Sequence, residues 1–521
     1  LAKILTVEQM QQVEAAADAA GHTYAEMMKL AGAAVAQDVV EAVGGVEGLS
    51  ILILAGSGNN GGDGLVAGDL LAEEGAQVSV YLTKKRPDED PHLARLRERG
   101  VLVAVAEDDQ RSRVLKLQLR KADLIVDSVL GTGFQLPLRG SAQKVLAAAK
   151  RVLSLRDEMP LIVAVDCPSG IDCDTGEAAA ETLAADLTVT LAAAKPGLFR
   201  LPGAALVGEL VVRGIGLGEN ALAHIDAELV TETDAAALLP DRSAYAHKGT
   251  FGRALIVAGS RNYPGAAVLA AEAAYQVGAG LVTVAVPESI QGMLVQRIPE
   301  ATWIPIPDEA GFITRAAMDA LESEWATSDA LLIGPGFGLE PDTREATWQL
   351  ASKASIDLPT VIDADALKHL AGMEAWHNAL SLGAILTPHP GEMSVLTGLE
   401  VDDIQADRMA VAQSWARRWG HILVLKGAHT VIANSDERLR ILPFATPALA
   451  KAGTGDVLAG ALVGLLAQKV TPFNAATLAG YLHGRAGELA AAAIGTTASV
   501  LAGDVAAFIP EAIAETATSQ R

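Results

Sequence analysis

The run Leu49-Ser50-Ile51-Leu52-Ile53-Leu54-Ala55 passes directly into Gly56-Ser57-Gly58-Asn59-Asn60-Gly61-Gly62-Asp63-Gly64. A short, nearly all-apolar run stopped by a glycine cluster reads as a strand covered on both faces, as in a parallel sheet. A helical pattern follows, so the loop is a strand-to-helix turn. Gly56, Gly58 and Gly61 satisfy G-x-G-x-x-G, which brings backbone N–H groups close to a pyrophosphate at a helix N-terminus. An ordinary dinucleotide site also has a carboxylate at the end of the next strand, yet Leu82 is followed by Thr83-Lys84-Lys85-Arg86, which disfavours an ordinary dehydrogenase. Asn59, Asn60 and Asp63 add side-chain oxygens suited to a cation or a ribose.

Outward from this stretch, apolar β-branched runs alternate with Ala-rich helical stretches in two successive series, so two α/β domains are expected. The first series comprises Leu49–Ala55, Val78–Leu82, Leu124–Asp127, Leu161–Asp166, Leu187–Leu191 and Glu209–Val212, preceded by one long helix from about Glu8 to Ala42. The second comprises Ala254–Ala258, Leu281–Val286, Ala330–Gly334, Thr360–Asp363, Ala384–Thr387, Ile422–Lys426 and Thr430–Ala433, ending in helices over Asp456–Ala467 and Phe473–Ala493. The pattern lapses between Gly214 and Asp241, which places the boundary near residue 225 and the domains at 1–225 and 226–521.

The 521 residues are half hydrophobic and one-fifth charged, enough to bury sizeable cores. With 40 basic and 63 acidic residues the formal net charge is −23, which repels a nucleic-acid backbone, so no nucleic-acid partner is expected. The longest basic run, Lys84-Lys85-Arg86, precedes Pro87-Asp88-Glu89-Asp90 and reads as a solvated loop. Cys167 and Cys173 are too few for a disulfide framework or a zinc site and read as free thiols. The apolar run Val457–Ala467 is too short to span a bilayer. A cytoplasmic location, no membrane partner and a homo-oligomeric assembly are expected.

In open α/β sheets, ligands bind beyond the carboxyl ends of the strands. Two further strand ends of the first domain are rich in polar residues there: Asp127-Ser128-Val129-Leu130-Gly131-Thr132-Gly133, and Asp166-Cys167-Pro168-Ser169-Gly170. Together with Asn59–Gly64 they resemble the NAD(P)H-hydrate epimerase family across the whole first domain. The resemblance implies a Rossmann-like three-layer αβα domain that interconverts the R and S epimers of hydrated NADH and NADPH (NADHX and NADPHX). It places potassium (K+) among Asn60, Asp127 and Ser169. The hydrate is placed against Asn59, Asn60, Gly61, Gly62 and Asp63, against Gly131, Thr132, Gly133, Phe134, Gln135, Leu136 and Pro137, and against Asp166. A carboxylate such as Asp166 can give and take the proton as the C6 hydroxyl leaves and water returns.

In the second domain, Ala450-Lys451-Ala452-Gly453-Thr454-Gly455-Asp456 opens a long apolar helix. Backbone amides at Gly453–Asp456 can form an anion hole, and Asp456 is placed to accept a proton from a hydroxyl attacking a phosphoryl group. Gly334-Pro335-Gly336-Phe337-Gly338, Thr387-Pro388-His389-Pro390-Gly391-Glu392 and Lys426-Gly427-Ala428-His429-Thr430 are further strand-end loops. Together they resemble the ribokinase-like superfamily, and its NAD(P)H-hydrate dehydratase branch in particular, across about residues 230–515. His389-Pro390-Gly391-Glu392 stands where the kinases of that superfamily have Asn-x-x-Glu, which favours the dehydratase branch. The resemblance implies that Gly338 and His389, with Gly336 a neighbour, contact the hydrate. Lys426, Gly427, Ala428, His429 and Thr430 with Gly453, Thr454 and Gly455 bind the nucleotide, and Asp456 contacts the reacting hydroxyl. Asp363, Asp365 and Glu392 are candidate groups for magnesium (Mg2+), either binding it or supporting the groups that do.

The expected protein is thus a bifunctional repair enzyme, with ADP, or else ATP, phosphorylating the C6 hydroxyl so that phosphate leaves. Two rivals stand beside it: a small-molecule or vitamin kinase fused to a nucleotide-binding domain, and a non-catalytic nucleotide sensor.

Overall fold

The computed structural model describes residues 2–518 apart from 88, 219, 355–357 and 382. It divides into two compact units, Ala2–Asp226 and Ala227–Arg521.

The first unit is built on seven strands: β1 (Ser50–Ala55), β2 (Gln77–Leu82), β3 (Leu102–Val105), β4 (Leu124–Ser128), β5 (Leu161–Val165), β6 (Leu187–Leu191) and β7 (Glu209–Arg213). They lie in the order β3-β2-β1-β4-β5-β6-β7, all parallel. Successive side chains point to opposite faces. Ile51, Ile53 and Ala55 therefore enter one core, whereas Leu52 and Leu54 enter the other. Full burial of each such Leu or Ile favours folding by about 1.5–3 kcal/mol, which explains why the run is apolar without alternation.

The long helix expected over residues 8–42 is two helices, Val7–Ala19 and Tyr24–Val43. Gly21, at φ +101°, turns the chain between them. Thr23 and Glu26 then form a reciprocal capping box that satisfies the first N–H groups of the second helix. The edge strand β3 escaped the sequence reading because its residues are only half-buried or exposed.

The second unit contains β8 (Ala227–Leu229), β9 (Arg253–Val257), β10 (Leu281–Pro287), β11 (Thr302–Ile306), β12 (Ala330–Ile333), β13 (Thr360–Ile362), β14 (Ile385–Leu386), β15 (Ile422–Leu425), β16 (Val431–Ala433) and β17 (Leu439–Ile441). Their order is β8-β17-β16-β15-β14-β13-β12-β9-β10-β11. From β15 to β11 every pair is parallel, whereas β15, β16 and β17 meander antiparallel. Against this sheet lies the helix Thr454–Ala467, buried along nearly its whole length from Val457 onward, as an all-apolar helix must be. Gly460 lets it approach the helix Pro264–Gln276, since a Cβ there would stand 2.1 Å from the Ala270 carbonyl oxygen. Among the described residues, no helix is long and apolar enough to cross a membrane.

Candidate active sites

In the first unit β1 lies between β2 and β4, so the connections leaving β1 and β4 diverge and open a crevice at the carboxyl ends. A cavity of about 640 Å³ occupies it. The glycine loop forms one wall, and its glycines are sterically required. A Cβ on Gly61 would lie 2.1 Å from the Gly56 carbonyl oxygen, and one on Gly64 would lie 2.0 Å from Ser128 Oγ. The helix Asn59–Glu73 begins at this loop without a side-chain cap, so its first N–H groups are available to a ligand. The basic run beside it is not simply a solvated loop. Lys84 and Lys85 are exposed and Asp88 lies outside the described residues. Arg86, however, donates to the Gly56 carbonyl at 2.9 Å, to that of Gly58 at 3.1 Å and to Asp90 at 2.7 Å, clamping the glycine loop.

Behind the loop, Asp127 at the end of β4 is buried; it accepts from Ser169 Oγ at 2.6 Å and from the Ser169 N–H at 2.9 Å. Burial raises its pKa, opposed by these hydrogen bonds. Leu130 N–H donates to Ser169 Oγ at 2.9 Å, and Asn60 Nδ2 donates to the Leu130 carbonyl at 2.9 Å. Asn60, Asp127 and Ser169 thus meet in one network. Asn60 Oδ1 is buried there without a hydrogen-bond partner, which fits an oxygen awaiting a hard cation such as potassium.

Asp166 is bonded elsewhere than to that network. Its backbone is left-handed, at φ +65°. Oδ1 accepts from Leu191 N–H at 3.1 Å and Thr190 Oγ1 at 3.3 Å, and it forms an ion pair with Lys195. Lys195 is 1% exposed. Burial lowers its pKa, but the Asp166 carboxylate outweighs that and holds the ammonium above its ordinary value. Asp63 and Glu14 complete this end of the cavity. Burial, reinforced by the charge of Asp166, pushes both carboxyls up, Asp63 strongly. The cavity therefore holds the Asp166–Lys195 ion pair beside carboxyls biased toward the protonated form, a set able to exchange protons with a bound molecule.

Of the residues expected at the hydrate, Asn59, Asn60, Gly61, Asp63, Gly131, Thr132, Gly133 and Asp166 line the cavity. Gly62 is not among the lining residues and packs against Met28, 2.6 Å from a would-be Cβ. Phe134, Gln135, Leu136 and Pro137 also lie outside the lining; Phe134 and Leu136 turn into the core instead. Lys195 and Glu14 were missed. The former offered a signal, a lone lysine in Ala192-Ala193-Ala194-Lys195-Pro196-Gly197 just after β6; the latter, on a separate helix, offered none.

In the second unit the loops after β12, β13, β14 and β15, four adjacent parallel strands, converge on the N-terminus of the helix Thr454–Ala467. Lys426 Nζ is 2.6 Å from Asp363 Oδ1 and 3.8 Å from Glu392 Oε2, and both carboxylates are buried. It lies 3.5 Å from a would-be Cβ on Gly455. The Lys426 side chain is therefore the counter-ion of a carboxylate cluster, whereas Gly427 and Ala428 of the same segment are exposed. Thr430 Oγ1 is turned back to the Gly427 carbonyl at 2.9 Å, and Thr454 Oγ1 to those of Leu449 and Lys451 at 2.8 and 2.9 Å. Burial takes the His429 imidazole down to about 4, so it is neutral at physiological pH. Arg408, missed in the sequence, donates to the Leu425 carbonyl at 2.8 Å and packs on Gly427.

His389 caps the helix Pro390–Thr397: Nδ1 accepts from the N–H groups of Gly391 and Glu392 at 3.0 and 3.2 Å. Those bonds leave Nε2 outward, 3.4 Å from Glu392 Oε1. Gly338 donates its N–H to Asp365 at 2.9 Å, and its carbonyl accepts from His369 Nε2 at 2.9 Å. Gly336 packs on Tyr263 and Ala266. Asp365 is also held by Lys368 at 3.0 Å. Asp363, Asp365 and Glu392 are each engaged by protein donors. Among the described residues, no group of three His, Cys, Asp or Glu side chains is arranged to hold a metal. Asp456 stands at the helix N-terminus beside this cluster. Burial, then the charge of Asp363, pushes its carboxyl up to about 7, against the lowering effect of Lys426.

Two strand-end sites, each joining a glycine-rich helix N-terminus to buried ionisable side chains, define a two-domain α/β enzyme of nucleotide-like substrates. Comparison with known proteins gives the particular class. A family model described as YjeF-related protein N-terminus matches residues 24–197, and one described as NAD(P)H-hydrate dehydratase matches residues 254–511. The bifunctional NAD(P)H-hydrate repair enzyme of Moorella thermoacetica is 40% identical over 90% of this chain and 88% of its own. That of Thermofilum pendens is 36% identical over 89% and 87%. An ADP/ATP-dependent NAD(P)H-hydrate dehydratase from Bacillus subtilis, co-crystallised with ATP and Mg2+, is 33% identical with a TM-score of 0.47, covering 56% of this chain and 98% of that one. The chain belongs to the family of bifunctional NAD(P)H-hydrate repair enzymes.

Proposed function

We propose that the domain at residues 1–225 interconverts the R and S epimers of NADHX and NADPHX, and that the domain at 226–521 dehydrates the S epimer at the expense of ADP. Family membership over both halves supports the pairing. The observation that carries the chemistry is Asp456, a carboxyl poised near neutrality at an uncapped, glycine-rich helix N-terminus.

In the first reaction the ring nitrogen's lone pair expels the C6 hydroxyl, which takes a proton and departs as water. Water then adds to the other face and gives a proton back. Asp166 is the acceptor and Lys195 the adjacent donor, with Asp63 a second proton source in the same cavity. Potassium, when bound at Asn60, Asp127 and Ser169, would supply a fixed positive charge next to the glycine loop. In the second reaction Asp456 takes the proton of the C6 hydroxyl as its oxygen attacks the terminal phosphoryl group of ADP, and AMP leaves. The N–H groups at Gly453–Asp456 hold the transferring oxygens. The ring nitrogen next expels phosphate and C5 loses a proton, restoring NADH or NADPH. Magnesium would arrive with the nucleotide phosphates, as it commonly does, and would neutralise their charge.

The test is to incubate the protein with mixed NADHX epimers, Mg2+, K+ and ADP. Return of NADH absorbance with release of inorganic phosphate and AMP is expected, and faster with ADP than with ATP. A stable phosphoester product would instead identify a kinase, and nucleotide binding without turnover a sensor.

A further inference from the structure

Arg86 and Lys84, two residues of the basic run after β2, have different surroundings. Arg86 is occupied by the glycine loop and Asp90. Lys84 lines the 640 Å³ cavity together with Thr83. Besides the paired Lys195, the cations on the cavity wall are Lys84 and Arg139, and neither has a hydrogen-bond or ion-pair partner among the described residues. Two unpaired cations in a protein of net charge −23, facing one concavity, point to an anionic ligand.

Their placement gives its register. The proton-exchanging set, Asp166, Lys195, Glu14 and Asp63, marks where the hydrated ring reacts. Asp166 follows β5, and Lys84 follows β2, three strand spacings away or roughly 14 Å. A dinucleotide with its ring at Asp166 and its pyrophosphate along the glycine loop has its adenosine ribose near Lys84. In dinucleotide folds an acidic residue at the end of this strand, about 20 residues past the glycine loop, bonds a free ribose 2′-hydroxyl, and a basic one accommodates a 2′-phosphate. Arg139 immediately precedes the helix Gly140–Leu153, whose first residues Gly140, Ser141 and Ala142 also line the cavity.

Resting on the epimerase reading above, we infer that Lys84 reads the 2′-phosphate and makes NADPHX the preferred substrate of the first domain, while Arg139 holds the pyrophosphate common to both substrates. The experiment measures consumption of the R epimers of NADPHX and NADHX by the full-length protein, by chromatography, for the parent, Lys84→Glu and Arg139→Ala. The parent is expected to favour NADPHX at least tenfold in kcat/KM. Lys84→Glu should reduce that ratio at least tenfold, through KM. Arg139→Ala should weaken both substrates and preserve the ratio. A ratio unaltered by Lys84→Glu overturns the inference while leaving the epimerase reading intact. Absence of any epimerisation by the parent overturns that reading; calorimetric binding of adenosine 2′,5′-bisphosphate then decides the site. Weakening at least tenfold by Lys84→Glu supports a 2′-phosphate pocket, and unchanged binding removes it.

Discussion

Asp456→Asn separates catalysis from stability in a way the surroundings of Asp456 make quantitative. The side chain keeps its size and hydrogen-bonding reach but loses the group proposed to receive the hydroxyl proton, a role typically worth about 10² to 10⁴ in rate. Dehydration should therefore fall at least about a hundredfold, with epimerisation retained. Stability should move the other way. The carboxyl rises from 3.8 to about 7 on folding, so its favourable contribution is complete below the unfolded value and is lost as pH climbs through the folded one. Between pH 5.5 and 8.5 the parent should lose about 2 kcal/mol from this group alone. The asparagine variant does not titrate and should lose none of it. Urea denaturation of both proteins at the two pH values reads the difference directly. A stability gap that is the same at both would mean Asp456 is not held near neutrality, and a folded variant restoring NADH at the parental rate would mean it is not the base. The same titration predicts that the parent's dehydration rate rises with pH through about 7.

Three further outcomes follow from the ion pairs. Asp166→Ala should slow consumption of the R epimer about a hundredfold or more while the S epimer is still dehydrated; R-epimer loss at the parental rate, corrected for spontaneous epimerisation, would remove Asp166 from the chemistry. Lys195→Met should do the same to epimerisation and also destabilise the protein, since it strands the Asp166 carboxylate in a largely buried site; an unaltered melt would contradict the pairing. Lys426→Met leaves Asp363 buried without its cation and should cost about 3–5 kcal/mol, less at pH 5 than at pH 8 because protonation relieves the stranded charge. Equal cost at both pH values would show that another group compensates Asp363.

The fold was legible where a strand is covered on both faces. Ile51–Ala55, Ile162–Val165 and Ile422–Leu425 announce themselves because every side chain is buried, whichever face it meets. Legibility failed at the strands left out of the two series: β3 is half-exposed, β11 carries Pro305, and β8 and β17 have three residues each. The candidate sites follow the same division. Asn60, Asp127, Asp166, His389 and Asp456 stand at strand ends or at glycine- and proline-marked helix starts and could be found by position. What those residues touch could not. Lys426 reads as a nucleotide ligand next to a glycine until its partners Asp363 and Glu392, contributed by two other loops, are known. Glu14 reaches the cavity from a helix separated from the glycine loop by a second helix, a relation with no periodicity to read.

The left-handed backbone at Asp166 bears on how this protein could be engineered. A non-glycine residue at such a φ costs on the order of 1 kcal/mol or more, so glycine is the residue that local conformation prefers there. A ranking by melting temperature would read only the balance between that backbone relief and the Lys195 ammonium that Asp166→Gly strands in the core, and would be blind to the chemical role of the lost carboxylate. Selecting on restoration of NADH from a mixed pool would be nearly as blind, because spontaneous epimerisation keeps feeding the second domain. Libraries aimed at a hardier version of this chain therefore need a readout of the R epimer itself, or they will enrich proteins that keep one of the two activities.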